Sequence, residues 1–80
     1  MYVVYVLLSG ADGTRYIGST KNVFVRLKQH NQGRCRYTKG RRPWKIVHQE
    51  SFESRTEALK RERFLKSGAG RKLLSSLVTI

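Results

Sequence analysis

The sequence predicts an α+β domain in which three strands form a sheet covered by helices. Three observations lead there. Residues 2–8, YVVYVLL, are apolar throughout, so a strand there needs cover on both faces of its sheet. Residues 15–19 and 44–52 read as two further strands. The stretches that follow each of them carry the capping residues and apolar spacing of helices. The order is β-β-α-β-α with a last helical segment, expected as one domain over residues 1–80. A chain of this length buries only about 60% of its unfolded surface, which limits it to one modest core.

Each element has a local cause. SGADGT, residues 9–14, is a loop by composition, and Arg15 to Ser19 is the hairpin partner of the first strand. Ser19, Thr20 and Asn22 are candidate N-caps for the first helix, and Gly33 is its stop signal. At about 100° per residue, Val23, Phe24 and Leu27 form one apolar arc, with Arg26 and His30 four apart along its edge. Residues 34–43 form a basic loop ending at Pro43, and Trp44 behind it reads as a core residue opening the third strand. Ser54 caps the second helix, with Glu57 three residues on as its capping-box partner. Ala58, Leu59 and Leu65 make that helix's apolar arc, and Glu62 falls inside it. SGAG, residues 67–70, breaks the helix, and RKLLSSLV, residues 71–78, is a short final helix or docking segment.

Charge narrows the function. Seventeen Lys and Arg against five Asp and Glu give a net +12, a self-repulsion that a polyanionic partner relieves. Nucleic acid is the leading partner, with an anionic membrane surface second. Six basic residues lie from Arg34 to Lys45, and seven from Arg55 to Lys72. Arg34, Arg36, Lys39, Arg41, Arg42 and Lys45 can track a phosphate backbone without reading bases. The longest apolar run is too short to span a bilayer, and no basic leader with a cleavage site is evident. A lone Cys35 excludes an internal disulfide and suits a reducing cytoplasm, with a nucleoid association open. His30, His48 and Cys35 lack zinc spacing, and no structural zinc is expected.

Several residues carry two readings. A carboxylate in an apolar stripe, Glu62, is either paired with a nearby cation or holds a hard divalent ion whose other ligands are waters and phosphate oxygens. Arg26 is a solvated helix edge or a planar clamp for phosphate oxygens. His30 lies one turn on, where it could pass a proton near neutral pH. Tyr5 and Tyr16 sit across the hairpin from one another as core residues whose hydroxyls need partners if buried.

VVY at residues 3–5, YIG at 16–18, Arg26, His30 and Glu62 together resemble the GIY-YIG nuclease family. YIGST, NVFVRLKQHN, RRPW and EALKRE resemble its small single-domain bacterial branch, the UPF0213-like proteins, and the nuclease domain of enzymes that cut branched DNA. The resemblance covers residues 2–67. It implies a three-stranded antiparallel sheet flanked by helices and hydrolysis of phosphodiesters in nucleic acid, DNA before RNA, with one Mg²⁺ or Mn²⁺ ion. It further implies a DNA endonuclease of the repair or recombination type. By position, Tyr5, Tyr16, Arg26 and His30 match the family's catalytic residues, Glu62 its metal carboxylate, and Gly18 the glycine that lets backbone and substrate approach. Val3 replaces the first glycine of the family name, and Ser19 stands where some branches carry Lys, a contact Lys21 could supply instead. The general base is Tyr16 by resemblance. By energetics it is His30, since an ordinary tyrosine is only about 0.1% ionised at pH 7. The rival readings are a catalytically silent binding module on the same fold and a small basic ribosome or nucleoid component. Either way, a protein partner could supply specificity.

Overall fold

A computed structural model describes residues 1–77. The chain order is β1 (Tyr2–Ser9), β2 (Arg15–Thr20), α1 (Val23–Asn31), α2 (Arg36–Lys39), β3 (Trp44–Phe52), α3 (Arg55–Lys66) and α4 (Gly68–Leu77). The strands form one antiparallel sheet in the order β2-β1-β3. Its central strand is buried from Val4 to Ser9, as an all-apolar run demands.

The two faces of β1 feed two apolar clusters. Val4 and Val6 pack with Ala58, Leu65 and Leu74, so α3 and α4 cover that face. Tyr5 and Leu7 pack with Val23 and Trp44, so α1 covers the other. Trp44 is buried, and its indole N–H donates to the Thr38 carbonyl at 2.9 Å.

A bulge lets β3 serve both clusters. Leu7 pairs with Ile46 and Val6 with His48, which leaves Val47 as the extra residue. Strand side chains alternate, so one inserted residue exchanges the faces of everything beyond it. Trp44 and Ile46 therefore join the α1 side, while Phe52 packs on the α3 side. His48 and Glu50 share that second side. There Arg61 of α3 donates to both oxygens of Glu50 at 2.8 and 3.2 Å, and His48 Nε2 lies 2.7 Å from Glu50 Oε2. These bonds outweigh the effect of burial and hold the Glu50 carboxyl below its ordinary range.

Both expected N-caps form, although the Glu57 side chain makes no return bond to Ser54. Asn22 Oδ1 accepts from the Val25 amide, and Ser54 Oγ accepts from the Glu57 amide. Gly33 takes φ of 78° just past α1. The basic loop contains the short helix α2, an element that composition alone does not signal. The helix break at SGAG is confined to Ser67, and α4 begins at once with Gly68. Val78 of the expected last segment lies outside the described residues.

Two apolar arcs are narrower than expected. Phe24 is 72% exposed and Leu59 40% exposed. In α1 the buried line runs through Val23 and His30, and in α3 through Ala58 and Leu65. Each pair is seven residues apart, nearly in register on the helix, and the residue after the first of each pair points about 100° away. A small sheet covers only the central stripe.

Gly70 locks α4 against α3. A Cβ there would fall onto the Phe64 carbonyl oxygen and Leu65 Cα, both backbone atoms that cannot yield. Gly70→Ala is expected to destabilise the fold by about 3 kcal/mol or more. Urea denaturation of the two proteins measures it, and an unchanged midpoint contradicts the packing.

Candidate active site

The hairpin register places Tyr5 opposite Gly18 and Leu7 opposite Tyr16. The two tyrosines are thus diagonal neighbours on the α1 face, with ring centroids 6.3 Å apart. Gly18 is small because of Tyr5. A Cβ at that position would lie 2.7 Å from the Tyr5 hydroxyl oxygen and 3.1 Å from Tyr16 Cε1. The glycine in the strand therefore admits a neighbouring phenol ring across the ladder.

His30 completes the cluster from α1. It is fully buried, with its ring 4.8 Å from that of Tyr16 and 6.0 Å from that of Tyr5. Its hydrogen bonds define its tautomer. The Thr38 hydroxyl donates to the Cys35 carbonyl at 3.3 Å, so Thr38 Oγ1 accepts from His30 Nδ1–H at 2.8 Å. Nε2 is then bare and accepts from the Tyr5 hydroxyl at 3.1 Å. One directed chain, Tyr5 to His30 to Thr38 to Cys35, satisfies every buried polar side chain in it. Among the described residues no buried side-chain polar atom lacks a partner.

Electrostatics agree with this chain. Burial, reinforced by Tyr16, pushes the Tyr5 hydroxyl up to about 12, so it remains a donor. Burial, with the Arg26 charge beside it, pushes His30 down, so the imidazole stays neutral. Arg26 is half-buried. Burial opposes its charge, yet the Tyr5 hydroxyl, Cys35 and Tyr16 around it favour the charge more, and it stays a cation. Its Nη1 donates to Gln29 Oε1 at 2.8 Å.

Glu62 stands apart from this cluster. It is carried by α3, on the other face of the sheet. About the buried line of Ala58 and Leu65, Arg61 and Glu62 occupy opposite flanks of the helix. Arg61 reaches Glu50 on β3, which turns Glu62 toward the β2 side. Its Oε2 accepts from Lys66 Nζ at 2.8 Å, and its side chain is 19% exposed. The expected choice between ion pair and metal ligand is thus met first by an ion pair, with a lysine one turn on. No three His, Cys, Asp or Glu converge among the described residues.

The two halves approach around the free edge of β2. A cleft of about 680 Å³ there is lined by Arg15, Tyr16 and Tyr37 from one side and by Lys66, Arg71 and Leu74 from the other. No acidic residue lines it. Of the cations expected to bind phosphate, Arg34, Arg36, Lys39 and Lys45 are exposed. Arg41 is tied to Asp12 at 3.2 Å, and Arg42 donates to the Lys39 carbonyl at 2.8 Å. Lys21 does not face the cleft: it lies 5.4 Å over the Tyr2 ring, near the opposite end of β2. The cleft's own cations, Arg15, Lys66 and Arg71, went unassigned in sequence. Arg15 precedes the YIG triplet directly, and that adjacency was the available signal.

Two tyrosines, an arginine and a histidine are gathered on one face of the three-stranded sheet, and the sequence places the domain in a nuclease-type family. The model of the GIY-YIG catalytic domain matches residues 1–73, and the chain belongs to the GIY-YIG family. It is 42% identical over 74 residues to UPF0213 proteins of Staphylococcus aureus strains Mu3 and Mu50, covering 91% of this chain and 89% of each of those. The solution NMR structure of a UPF0213 protein from Bacillus halodurans is similar, with a TM-score of 0.58 and 37% identity over 96% of this chain and 85% of that one. No helix among the described residues is long and apolar enough to cross a membrane.

The buried neutral His30 makes stability depend on pH. Its folded-state pKa is lowered, so below about pH 6.5 the unfolded chain binds a proton that the folded protein refuses, and stability falls. The thermal midpoint is expected to drop from pH 7 to pH 5, ahead of the carboxylates, and to drop less in His30→Gln. Equal slopes for the two proteins contradict a neutral buried imidazole.

Proposed function

We propose that this protein hydrolyses phosphodiester bonds in nucleic acid, acting as an endonuclease on DNA in preference to RNA, with one Mg²⁺ or Mn²⁺ ion. The observation that carries the reading is the buried Tyr5–His30–Thr38 chain beside Arg26 and Tyr16, with Tyr16 lining a cleft that also carries Arg15, Lys66 and Arg71. A structural core needs the packing of these residues but not a half-buried arginine held charged beside two phenols.

Hydrolysis requires a water placed in line with the ester, charge spread off the phosphoryl oxygens, and a proton acceptor for the water. Tyr16 is the phenol of the cluster that lines the cleft; as a phenolate, its own proton first given up to solvent, it takes the proton of the attacking water. His30 is poorly suited to that role, because both ring nitrogens are engaged and the ring is buried. It acts instead as a positioning residue, holding Tyr5 and packing edge-on against Tyr16. Arg26 clamps the nonbridging oxygens of the phosphate. The water oxygen bonds to phosphorus, the bond to the leaving oxygen breaks, and that oxygen is protonated from solvent.

The donor set at Glu62 fits a hard divalent ion. One carboxylate suits Mg²⁺, which keeps waters and takes phosphate oxygens, and a cation, the Lys66 ammonium, already rests on Oε2. Glu62 would hold such an ion, which would supply positive charge for the leaving oxygen. The same ion pair favours a second reading, a binding module whose carboxylate is neutralised by Lys66.

A panel of labelled flap, junction, duplex and single-stranded DNA and RNA with Mg²⁺ or Mn²⁺ separates them. The enzyme is expected to cut at least one. Tyr16→Phe is expected to lose about 100-fold or more in rate, and Glu62→Ala all detectable cutting, with nucleic-acid binding retained in both. Binding without cutting across the panel favours the silent module.

A further inference from the structure

Tyr37 is a large aromatic left in the open beside the catalytic cluster. It is 61% exposed, yet its ring lies 6.0 Å from that of Tyr16 and lines the same cleft. Its position is not loose. The next residue, Thr38, is pinned twice, by His30 at its hydroxyl and by the Trp44 indole at its carbonyl. The Arg41 guanidinium lies 5.3 Å over the ring and is itself held by Asp12. The platform is thus tied through Thr38 to the histidine that holds Tyr5.

The rest of the cleft complements an aromatic ligand that carries negative charge. Arg15 and Arg71 line it, and neither forms an ion pair among the described residues. A volume of about 680 Å³ is ample for one nucleotide. Exposed aromatics beside cations are how proteins hold unpaired nucleotides, because a base inside a duplex already has both faces stacked.

We propose that Tyr37 is a stacking platform for one unpaired base next to the phosphate held by Arg26, with Arg15 and Arg71 on the adjoining phosphates. The site thereby selects strands that are single at that position, such as flaps, junction arms or single-stranded segments, over continuous duplex. The proposal rests on the reading of the cluster as a phosphodiester site and deepens it by naming the form of the substrate.

The test is binding in a chelator, so that no outcome depends on cleavage. The probes are a fluorescent twelve-residue oligothymidylate and its duplex with oligoadenylate, at one fixed salt concentration. Tyr37→Ala is expected to weaken single-strand binding by about fivefold to a hundredfold, the range that loss of one base–aromatic stack gives, and to leave duplex binding within about twofold. Tyr37→Phe is expected to bind as the wild type does, because the ring and not the hydroxyl carries the contact. In Tyr37→Trp, indole emission is expected to be quenched by the single strand and not by the duplex; the buried Trp44 gives a constant background. Equal weakening on both probes, no weakening at all, or an emission indifferent to the single strand overturns the proposal. An inert protein could still pass this test and an active nuclease could fail it, so its failure is distinct from failure of the proposed hydrolysis.

Discussion

A phenol hydroxyl buried in the central strand must find a hydrogen-bond partner, and most of the site follows from that requirement. Tyr5 is 1% exposed. An unsatisfied hydroxyl there would cost about 1–3 kcal/mol, a large part of what a domain this small can spare. His30 meets the need, but a buried imidazole brings a second nitrogen, which needs Thr38, whose own proton needs the Cys35 carbonyl. Gly18 is the steric counterpart, since the ring that carries the hydroxyl crosses its position. The result is a set of side chains from β1, α1 and α2 that cannot shift singly without orphaning a neighbour. Such over-determination is the preorganisation that a site acting on a fixed geometry requires.

Charge is arranged in a matching way. Arg26 is brought into the cluster against the cost of burial, while burial keeps Tyr5 protonated and His30 neutral, the Arg26 charge reinforcing the second and opposing the first. On the far side of the sheet Glu62 is balanced by Lys66, and the adjacent Arg61 is committed to Glu50. The Glu62 carboxylate is thus held by a lysine that is itself largely exposed. An ion pair of this exposed, i to i+4 kind contributes only a few tenths of a kcal/mol, so it is a weak latch.

The motif residues were legible through their resemblance to the family pattern, since VVY, YIG, Arg26, His30 and Glu62 taken singly are ordinary strand and helix residues. The antiparallel pairing came from the same resemblance, whereas the two-faced burial of β1 was legible in its unbroken apolar run. What could not be read depends on events that leave no periodic trace. The bulge at Val47 reverses which of Trp44, Ile46, His48, Glu50 and Phe52 share a face, and no pattern in WKIVHQESF marks it. Phe24 and Leu59 were counted into apolar arcs because hydrophobicity shows what could be buried, not how wide the covering sheet is. Thr38 and Cys35 looked like ordinary loop residues, since a relay of hydrogen bonds has no sequence spacing. Tyr37, within the same basic loop, carries no signal until the fold sets it beside Tyr16.

The cleft also resolves a difficulty that the fold creates for itself. In the order β2-β1-β3, β2 is an edge strand, with unpaired backbone groups that could template pairing with a second chain. Proteins blunt such edges with charge, bulges or cover. The other edge, β3, has its bulge. At β2 the charge comes from Arg15 on the strand itself and from Lys66 and Arg71, which reach the cleft from the helices behind it. Two copies of this edge would bring those cations together on molecules already carrying +12 each. A phosphodiester backbone meets the opposite response, since each phosphate relieves the repulsion that keeps a second edge away. One set of side chains therefore keeps the open strand from pairing with its own kind and draws a polyanion to it, which is a physical reason for the cleft to lie at the edge of the sheet and not over its middle.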